Sequence, residues 1–263
     1  LKNPLKGPFN ILREEPLKLE NEALLLLKSA QLLPAAVISP VDEGVNFAAN
    51  HKLTYLQTEQ LRELAISSRG IADAITATVP TAMTENAQFH IFRPNISGEE
   101  HYVMEIGKIY RDQPTMVRIH SACFTGDVLG SLKCDCGPQL HAATKMINQQ
   151  GGGLLIYLNQ EGRGIGLANK IRAYSLQDQG FDTVEANHRL GFEDDERDFQ
   201  LGAAILKEMR ISNIRLITNN PSKISTMSKY NINVIERIPL RVGQNKNNIR
   251  YLDTKAKKSG HLM

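Results

Sequence analysis

The chain has 263 residues, of which 41% are hydrophobic and 22% charged, an ordinary composition for one large or two small globular domains. A net charge of +3 is too small to indicate nucleic-acid binding, and the basic residues form no dense stripe with interleaved aromatics. The longest apolar cluster is interrupted by Lys28, Ser29 and Gln31, so no membrane span is predicted.

All three cysteines of the chain lie close together, at Cys123, Cys134 and Cys136. An odd number of cysteines in one cluster does not fit the disulfide framework of a secreted protein. We therefore expect a cytoplasmic protein with reduced thiols.

Residues 1–87 are predicted to form a small, mostly helical extension. In chain order it contains an arm, a helix, a short strand and a second helix, predicted over residues 1–18, 20–33, 34–39 and 54–70. Pro34 follows the first helix, and Thr58 is a suitable N-cap for the second. We place the boundary within residues 76–87, because this stretch is rich in Thr, Ala and Pro and lacks a strong period.

Residues 88–263 alternate strands with helices, which predicts a mixed α/β fold with helices flanking a mixed sheet. The predicted strands cover residues 88–93, 100–110, 115–120, 153–158, 214–218 and 232–240. The predicted helices cover residues 138–150, a segment ending near Gln179, the stretch around 199–206, and part of 219–230.

The cysteines follow a C-x10-C-x-C spacing that leaves three explanations open: incidental buried thiols, a redox pair, or a metal site. A disulfide between Cys134 and Cys136 would close a small, strained ring, so the C-x-C pair is a poor disulfide. Three protein ligands plus water are typical of catalytic zinc, and four of structural zinc. His120 or the weaker candidate His141 would supply a fourth ligand.

Three glycines, Gly162, Gly164 and Gly166, lie between a predicted buried strand and a helix. Backbone N–H groups and a helix N-terminus at such a place can bind an anion, and a tight turn is the alternative. The spacing matches neither the dinucleotide fingerprint nor a P-loop. Glu161 can accept hydrogen bonds from a guanine edge, and Arg163 offers a fork to phosphate.

Two further segments carry charged or polar candidates. "FEDDERDF" has five acids around Arg197; such a run is usually a solvated face, but Asp195 and Arg197 can also form an acid–base or phosphate-handling pair. "TNNPSK" places Thr218 and Lys223 at a strand end, a common ligand edge in α/β sheets, although a plain Asn-Pro turn also explains it.

Taken together and in this order, these motifs resemble the GTP cyclohydrolase II family of riboflavin biosynthesis over about residues 88–262. The resemblance is carried by "RIHSACFTGD", "CDCGPQL", "QEGRGIGL", "DDERDF", "LITNNPSK" and "YLDTKAKKSGHL". It implies hydrolytic opening of the guanine imidazole ring of GTP at C8, with release of formate and pyrophosphate. The implied product is 2,5-diamino-6-ribosylamino-4(3H)-pyrimidinone 5′-phosphate.

The resemblance also implies roles for individual residues. One Zn²⁺ would be held by Cys123, Cys134 and Cys136, Mg²⁺ would accompany the triphosphate, and the protein would be a homodimer. Arg197 would be the nucleophile at the α-phosphate, Asp195 its proton acceptor, and Tyr174 would lie near C8. The implied GTP contacts are Arg118, Gln139, Glu161, Gly162, Arg163, Thr183, Thr218 and Lys223.

Two positions depart from the family pattern: Ala122 replaces a glutamate beside the first cysteine, and Asn159 replaces an arginine. They keep two alternatives open: a related cyclohydrolase acting on another nucleotide or on a uracil-catabolism intermediate, and a non-catalytic nucleotide-binding homologue.

Overall fold

The computed structural model describes residues 17–60, 70–85, 87–94, 99–249, 251–252, 260 and 262. The arm predicted over residues 1–18 lies almost entirely outside the described residues, and so does most of the helix predicted over 54–70.

Seven strands form one mixed sheet in the order β1-β2-β3-β5-β4-β6-β7. Their bounds are Ile71–Thr78 (β1), Ala87–Pro94 (β2), His101–Gly107 (β3), Thr115–Ser121 (β4), Gly152–Leu158 (β5), Asn213–Ile217 (β6) and Asn233–Ile238 (β7). The pairs β1/β2, β2/β3 and β3/β5 are antiparallel, whereas β5, β4, β6 and β7 run parallel.

The helices connect the strands and cover the sheet. They are α1 (Lys18–Ser29), α2 (Gly44–Asn50), α3 (Phe124–Asp127), α4 (Cys136–Gln149), α5 (Gly166–Gln177), α6 (Thr183–Arg189), α7 (Gln200–Glu208) and α8 (Pro221–Lys229), with a 3₁₀ turn at Glu161–Gly164. Among the described residues, no helix has the length and apolar character needed to cross a membrane.

The two central strands, β4 and β5, are apolar along most of their length because helices cover both of their faces. Val117, Ile119, Leu154 and Ile156 belong to the apolar core on the face covered by α7. The alternate residues, including Met116 and Leu155, belong to a second core with α4. The period-two alternation of a strand therefore divides one apolar run between two cores.

The predicted fold class is confirmed: a mixed sheet with flanking helices follows a small helical region. The short strand predicted over residues 34–39 is wrong. These residues have no regular structure, and Val37 is fully exposed. An apolar stretch becomes a strand only where a neighbouring strand offers hydrogen bonds, and none of the described strands pairs with it.

Strand β1 was not predicted, because its sequence "IADAITAT" has weak apolar alternation and seven of its eight residues are exposed. It pairs with β2 from Ile71↔Pro94 to Thr78↔Gln88. It thus extends the sheet from the N-terminal side of the expected boundary, and the division into residues 1–87 and 88–263 stays a prediction.

The parallel arrangement of β4, β5 and β6 determines where a site forms. Their carboxyl ends lie at the same edge of the sheet, the usual position of ligand sites in α/β folds. The segments that leave this edge begin with Ala122, Asn159 and Thr218, so the cysteine, glycine and "TNNPSK" motifs meet there.

Candidate active site

The thiols of Cys123, Cys134 and Cys136 form a compact cluster at the end of β4. Their sulfur atoms all lie within 4.8 Å of one another, and the Cys123 and Cys134 sulfurs are 3.7 Å apart. None of the three forms a disulfide. Soft thiolates in such a group are the ligands that zinc prefers.

Two glycines allow the cluster to close. A Cβ atom on Gly126 would lie 2.7 Å from the Cys134 sulfur and 3.0 Å from the Cys123 sulfur. A Cβ atom on Gly137, in the first turn of α4, would lie 2.3 Å from the Gly126 carbonyl oxygen. The two ends of the C-x10-C-x-C segment therefore meet through bare backbone, and the cradle fits one zinc ion.

Lys170 of α5 supplies a positive charge to this cluster. Its buried ammonium donates to the Cys123 sulfur (3.1 Å), to Thr125 Oγ1 (2.8 Å) and to Glu161 Oε1 (2.9 Å). Burial lowers the pKa of Lys170, but its hydrogen bond to Glu161 and the charge of Cys123 outweigh this effect, so the pKa is raised. Hydrogen bonds from Cys134 and Cys136, aided by Lys170, lower the pKa of Cys123.

His120 does not belong to the thiol cluster, although the sequence left it open as a fourth ligand. Its Nε2 lies 3.1 Å from Asp127 Oδ2, and burial lowers its pKa, so the ring is neutral. Asp127 also accepts hydrogen bonds from the Cys123 amide (3.0 Å) and the Tyr157 hydroxyl (2.9 Å). His120 thus supports the loop through Asp127. His141 is exposed on α4 and is likewise outside the cluster.

A cleft with an empty volume of about 1160 Å³, open to solvent, extends from the thiol cluster. Every residue to which the family resemblance assigns a role lines this cleft except Asp195, which adjoins it through Arg197.

Arg118 lies at the floor of the cleft and is almost completely buried. Its Nη1 donates to the Ile217 carbonyl (3.1 Å) and its Nη2 to Gln139 Oε1 (2.6 Å). Burial lowers its pKa to about 10, which leaves the guanidinium charged at neutral pH. Its Nε is shielded from solvent and has no hydrogen-bond partner among the described residues.

The glycine-rich segment forms a 3₁₀ turn with left-handed backbone at Gly162 (φ 64°) and Arg163 (φ 63°). Both oxygens of Glu161 are engaged: Oε1 accepts from the Gly162 amide (2.8 Å) and from Lys170, and Oε2 accepts from the Phe124 amide (2.6 Å). Glu161 thereby ties the glycine turn to the loop that carries Cys123.

Asp195 and Arg197 form a two-point ion pair beside the cleft. Arg197 Nε donates to Oδ1 of Asp195 (2.7 Å), and Nη2 donates to Oδ2 (2.6 Å). Burial would raise the pKa of Asp195, but the hydrogen bonds from Arg197 outweigh it and keep the pKa low. The run of acids is therefore not only a solvated face, since its arginine side chain is only 12% exposed.

The remaining proposed residues complete the wall. Thr218 is buried, and its Oγ1 accepts from the Asn220 amide (3.0 Å). The Lys223 ammonium donates to the Ile119 carbonyl (2.6 Å), and Thr183 is the first residue of α6. Burial raises the pKa of the Tyr174 hydroxyl, so this group is a neutral donor at pH 7.

Sequence reasoning missed Lys170, Asp127 and Asn248. The buried Asn248 donates to the Cys134 carbonyl (3.3 Å) and so holds the second half of the cysteine loop. Lys170 could have been found from its spacing, because residues four apart on a helix share a face and Tyr174 was already a candidate. No pattern in the sequence indicated that Asn248 would contact the cysteine loop.

Comparison with known proteins identifies the family to which this site belongs. The family model for GTP cyclohydrolase II matches residues 72–239.

The chain belongs to the GTP cyclohydrolase II family.

The chain is similar to proteins named GTP cyclohydrolase-2 from Azospirillum brasilense (42% identical over 253 residues, 94% of this chain and 66% of that protein) and Shigella boydii (54% over 172 residues, 65% and 88%). It is also 50% identical over 185 residues to the riboflavin biosynthesis protein RibBA of Bacillus cereus, covering 70% of this chain and 47% of that protein. It therefore spans about two thirds of the length of the first relative and about half of the third.

Replacing Gly126 by Ala is expected to damage the metal centre. The new methyl group would overlap the Cys134 sulfur, and either a ligand or the backbone of α3 must shift. Zinc bound per chain, measured by elemental analysis after dialysis, should fall well below that of the unaltered protein. The matched control is Gly44→Ala, where no atom lies within 4 Å of the added group. One tightly bound zinc in Gly126→Ala would contradict the assignment.

Replacing Lys170 by Met is expected to weaken zinc binding by roughly 10- to 100-fold, the usual effect of losing a group that supports a ligand. The ammonium stabilises the thiolate form of Cys123, and metal binding requires that form. Competition with a chromophoric chelator measures the affinity. Lys145→Met, an exposed lysine of α4, should leave it unchanged. Equal affinities for the two variants would show that Lys170 plays no part in the centre.

Proposed function

We propose that this chain is a zinc-dependent GTP cyclohydrolase II. It hydrolyses GTP, opens the guanine imidazole ring at C8 and releases formate and pyrophosphate. The product is 2,5-diamino-6-ribosylamino-4(3H)-pyrimidinone 5′-phosphate, and the reaction is the first step of riboflavin biosynthesis.

One observation carries the proposal: the thiol cluster and Arg197 line the same cleft. Ring opening and loss of pyrophosphate act on opposite ends of one nucleotide, so an enzyme that does both needs two chemical centres in one cavity. The thiol cluster supplies the first and the Asp195–Arg197 pair the second.

Cys123, Cys134 and Cys136 would hold the zinc. When bound, zinc supplies Lewis acidity that activates water toward an electrophilic carbon such as C8. Lys170 keeps Cys123 in its ionised form, and Asp127 holds the backbone of the same cysteine. Tyr174 would lie near C8 as a neutral hydroxyl that donates a hydrogen bond, since burial raises its pKa.

At the phosphate end, Arg197 would attack the α-phosphate, Asp195 would take its proton, and pyrophosphate would leave as the bond between the α- and β-phosphates breaks. Water would then hydrolyse the phosphorus–nitrogen bond, which releases the 5′-monophosphate and restores Arg197. The usual pKa values of a guanidinium and a carboxyl group differ by more than about eight units, or roughly 11 kcal/mol. Asp195 alone therefore cannot deprotonate an arginine in the ground state, and proton transfer must accompany bond formation to phosphorus. The two-point contact places the accepting oxygens directly on the protons to be moved.

Substrate binding is assigned to the other residues of the cleft. Arg118 and Lys223 line the cleft and provide a buried guanidinium and a buried ammonium. Gln139, Glu161, Gly162, Arg163, Thr183 and Thr218 are proposed as further GTP contacts. Mg²⁺ would accompany the triphosphate, and the active form would be a cytoplasmic homodimer.

Turnover of GTP by the zinc-loaded protein tests this proposal. We expect formate, pyrophosphate and the pyrimidinone, identified by mass, and loss of ring opening when a chelator removes zinc, with recovery when zinc is restored. Unchanged GTP in the presence of folded, zinc-loaded protein would overturn the proposal. Preferential turnover of a pyrimidine nucleotide in a parallel panel would instead point to Ala122 and Asn159 as specificity changes.

A further inference from the structure

The end of α1 and the residues after it pack against the back of the catalytic cleft. Lys28 Nζ lies 2.6 Å from Glu196 Oε1, and the Gln31 carbonyl accepts a hydrogen bond from Asn169 Nδ2 (2.9 Å). Leu33 packs against the small apolar core of α5 and α6, and Pro34 covers Gly191, where a Cβ atom would lie 2.8 Å from Pro34 Cγ. We call Lys28, Gln31, Leu33 and Pro34 the N-terminal clamp.

Backbone hydrogen bonds at the end of α1 determine the geometry of this clamp. The Leu32 amide donates to the Leu27 carbonyl (2.9 Å) and the Gln31 amide to the Lys28 carbonyl (2.9 Å), the two hydrogen bonds of a Schellman motif. Gln31 has left-handed backbone (φ 54°), a position that favours glycine. Its side chain covers Gly166, where a Cβ atom would lie 2.6 Å from Gln31 Oε1.

Glu196 links the clamp to the phosphate end of the cleft. Its Oε1 accepts hydrogen bonds from Lys28 and from the Glu193 amide (2.9 Å), and its own amide donates to the Arg163 carbonyl (3.0 Å). The next residue is Arg197. Residues 193–196 are four consecutive acids, so Lys28 also offsets part of their mutual repulsion.

Asn169 links the clamp to the metal end. It is fully buried, and its Nδ2 donates both to the Gln31 carbonyl and to the Ile165 carbonyl (2.9 Å). The next residue is Lys170, whose ammonium contacts Cys123. The clamp therefore contacts the residues immediately before two groups of the proposed reaction, and neither Lys28 nor Glu196 is among the residues that line the cleft.

We infer that the N-terminal clamp, which precedes the segment matched by the family model, positions Arg197 and α5 for catalysis through Lys28–Glu196 and Gln31–Asn169. This inference rests on the proposed function. It gives residues before β1 a part in the reaction without any contact with the substrate, so the clamp residues are positioning residues.

Four variants of the full chain test it: Lys28→Met, Glu196→Gln, the double variant, and Lys28→Arg, with Lys18→Met as a matched control on the exposed start of α1. Glu196→Gln keeps an oxygen that can accept from the Glu193 amide and removes the charge. The readouts are kcat and KM for GTP, zinc content, and amide hydrogen exchange of residues 193–197 without substrate.

We expect Lys28→Met and Glu196→Gln each to lower kcat at least threefold, with KM changed less than twofold and zinc content unchanged. The double variant should be no worse than the worse single variant, because both remove one interaction. Exchange at residues 193–197 should be faster in all three. Lys28→Arg should restore kcat, and Lys18→Met should behave as the unaltered protein.

The positioning role of the clamp is contradicted if Lys28→Met leaves kcat and amide exchange unchanged. It is also contradicted if the fold-losses of kcat in the two single variants multiply in the double variant. These outcomes can be told apart from a failure of the proposed function itself. If the unaltered protein does not turn over GTP, exchange alone decides: faster exchange in Lys28→Met supports the clamp, and unchanged exchange refutes it.

Discussion

Three cysteine sulfurs held within 4.8 Å of one another, beside the buried ammonium of Lys170, are the constraint on which the rest of the site depends. Thiolates at this separation repel one another, and burial adds to the cost of ionising them. Lys170 offsets part of that cost, and a bound metal ion would offset more of it. Gly126 and Gly137 remove the side chains that would keep the two cysteine segments apart.

The mixed sheet brings the second chemical group to the same place. Because β4, β5 and β6 are parallel, the segments that follow them open at one edge. Glu161 joins two of these segments by accepting from the Phe124 amide and from Lys170, and the Arg163 carbonyl joins the glycine turn to Glu196. Hydrogen bonds, joined by the backbone of residues 161–163 and 196–197, thus connect the thiols with the ion pair of Arg197.

Much of the fold and of the candidate site could be predicted from the sequence, because a strongly patterned segment largely determines its own local structure. "GLLIYL" is β5, and the C-x10-C-x-C spacing forms the thiol cluster. The features that the sequence did not predict depend on contacts between residues far apart in the chain. β1 exists because β2 offers it hydrogen bonds, whereas the more apolar residues 34–39 have no such neighbour among the described strands. Asn248 reaches Cys134 across more than a hundred residues, a contact that no sequence period encodes.

The central claim is that the thiol cluster and Arg197 act on one bound nucleotide. The most direct measurement follows GTP labelled with ¹³C at C8, in a single sample, for labelled formate and for pyrophosphate. The account predicts that both appear together in a ratio close to one, with the label leaving the ring entirely as formate. Pyrophosphate without formate, or a ring-opened product that keeps its triphosphate, would contradict it.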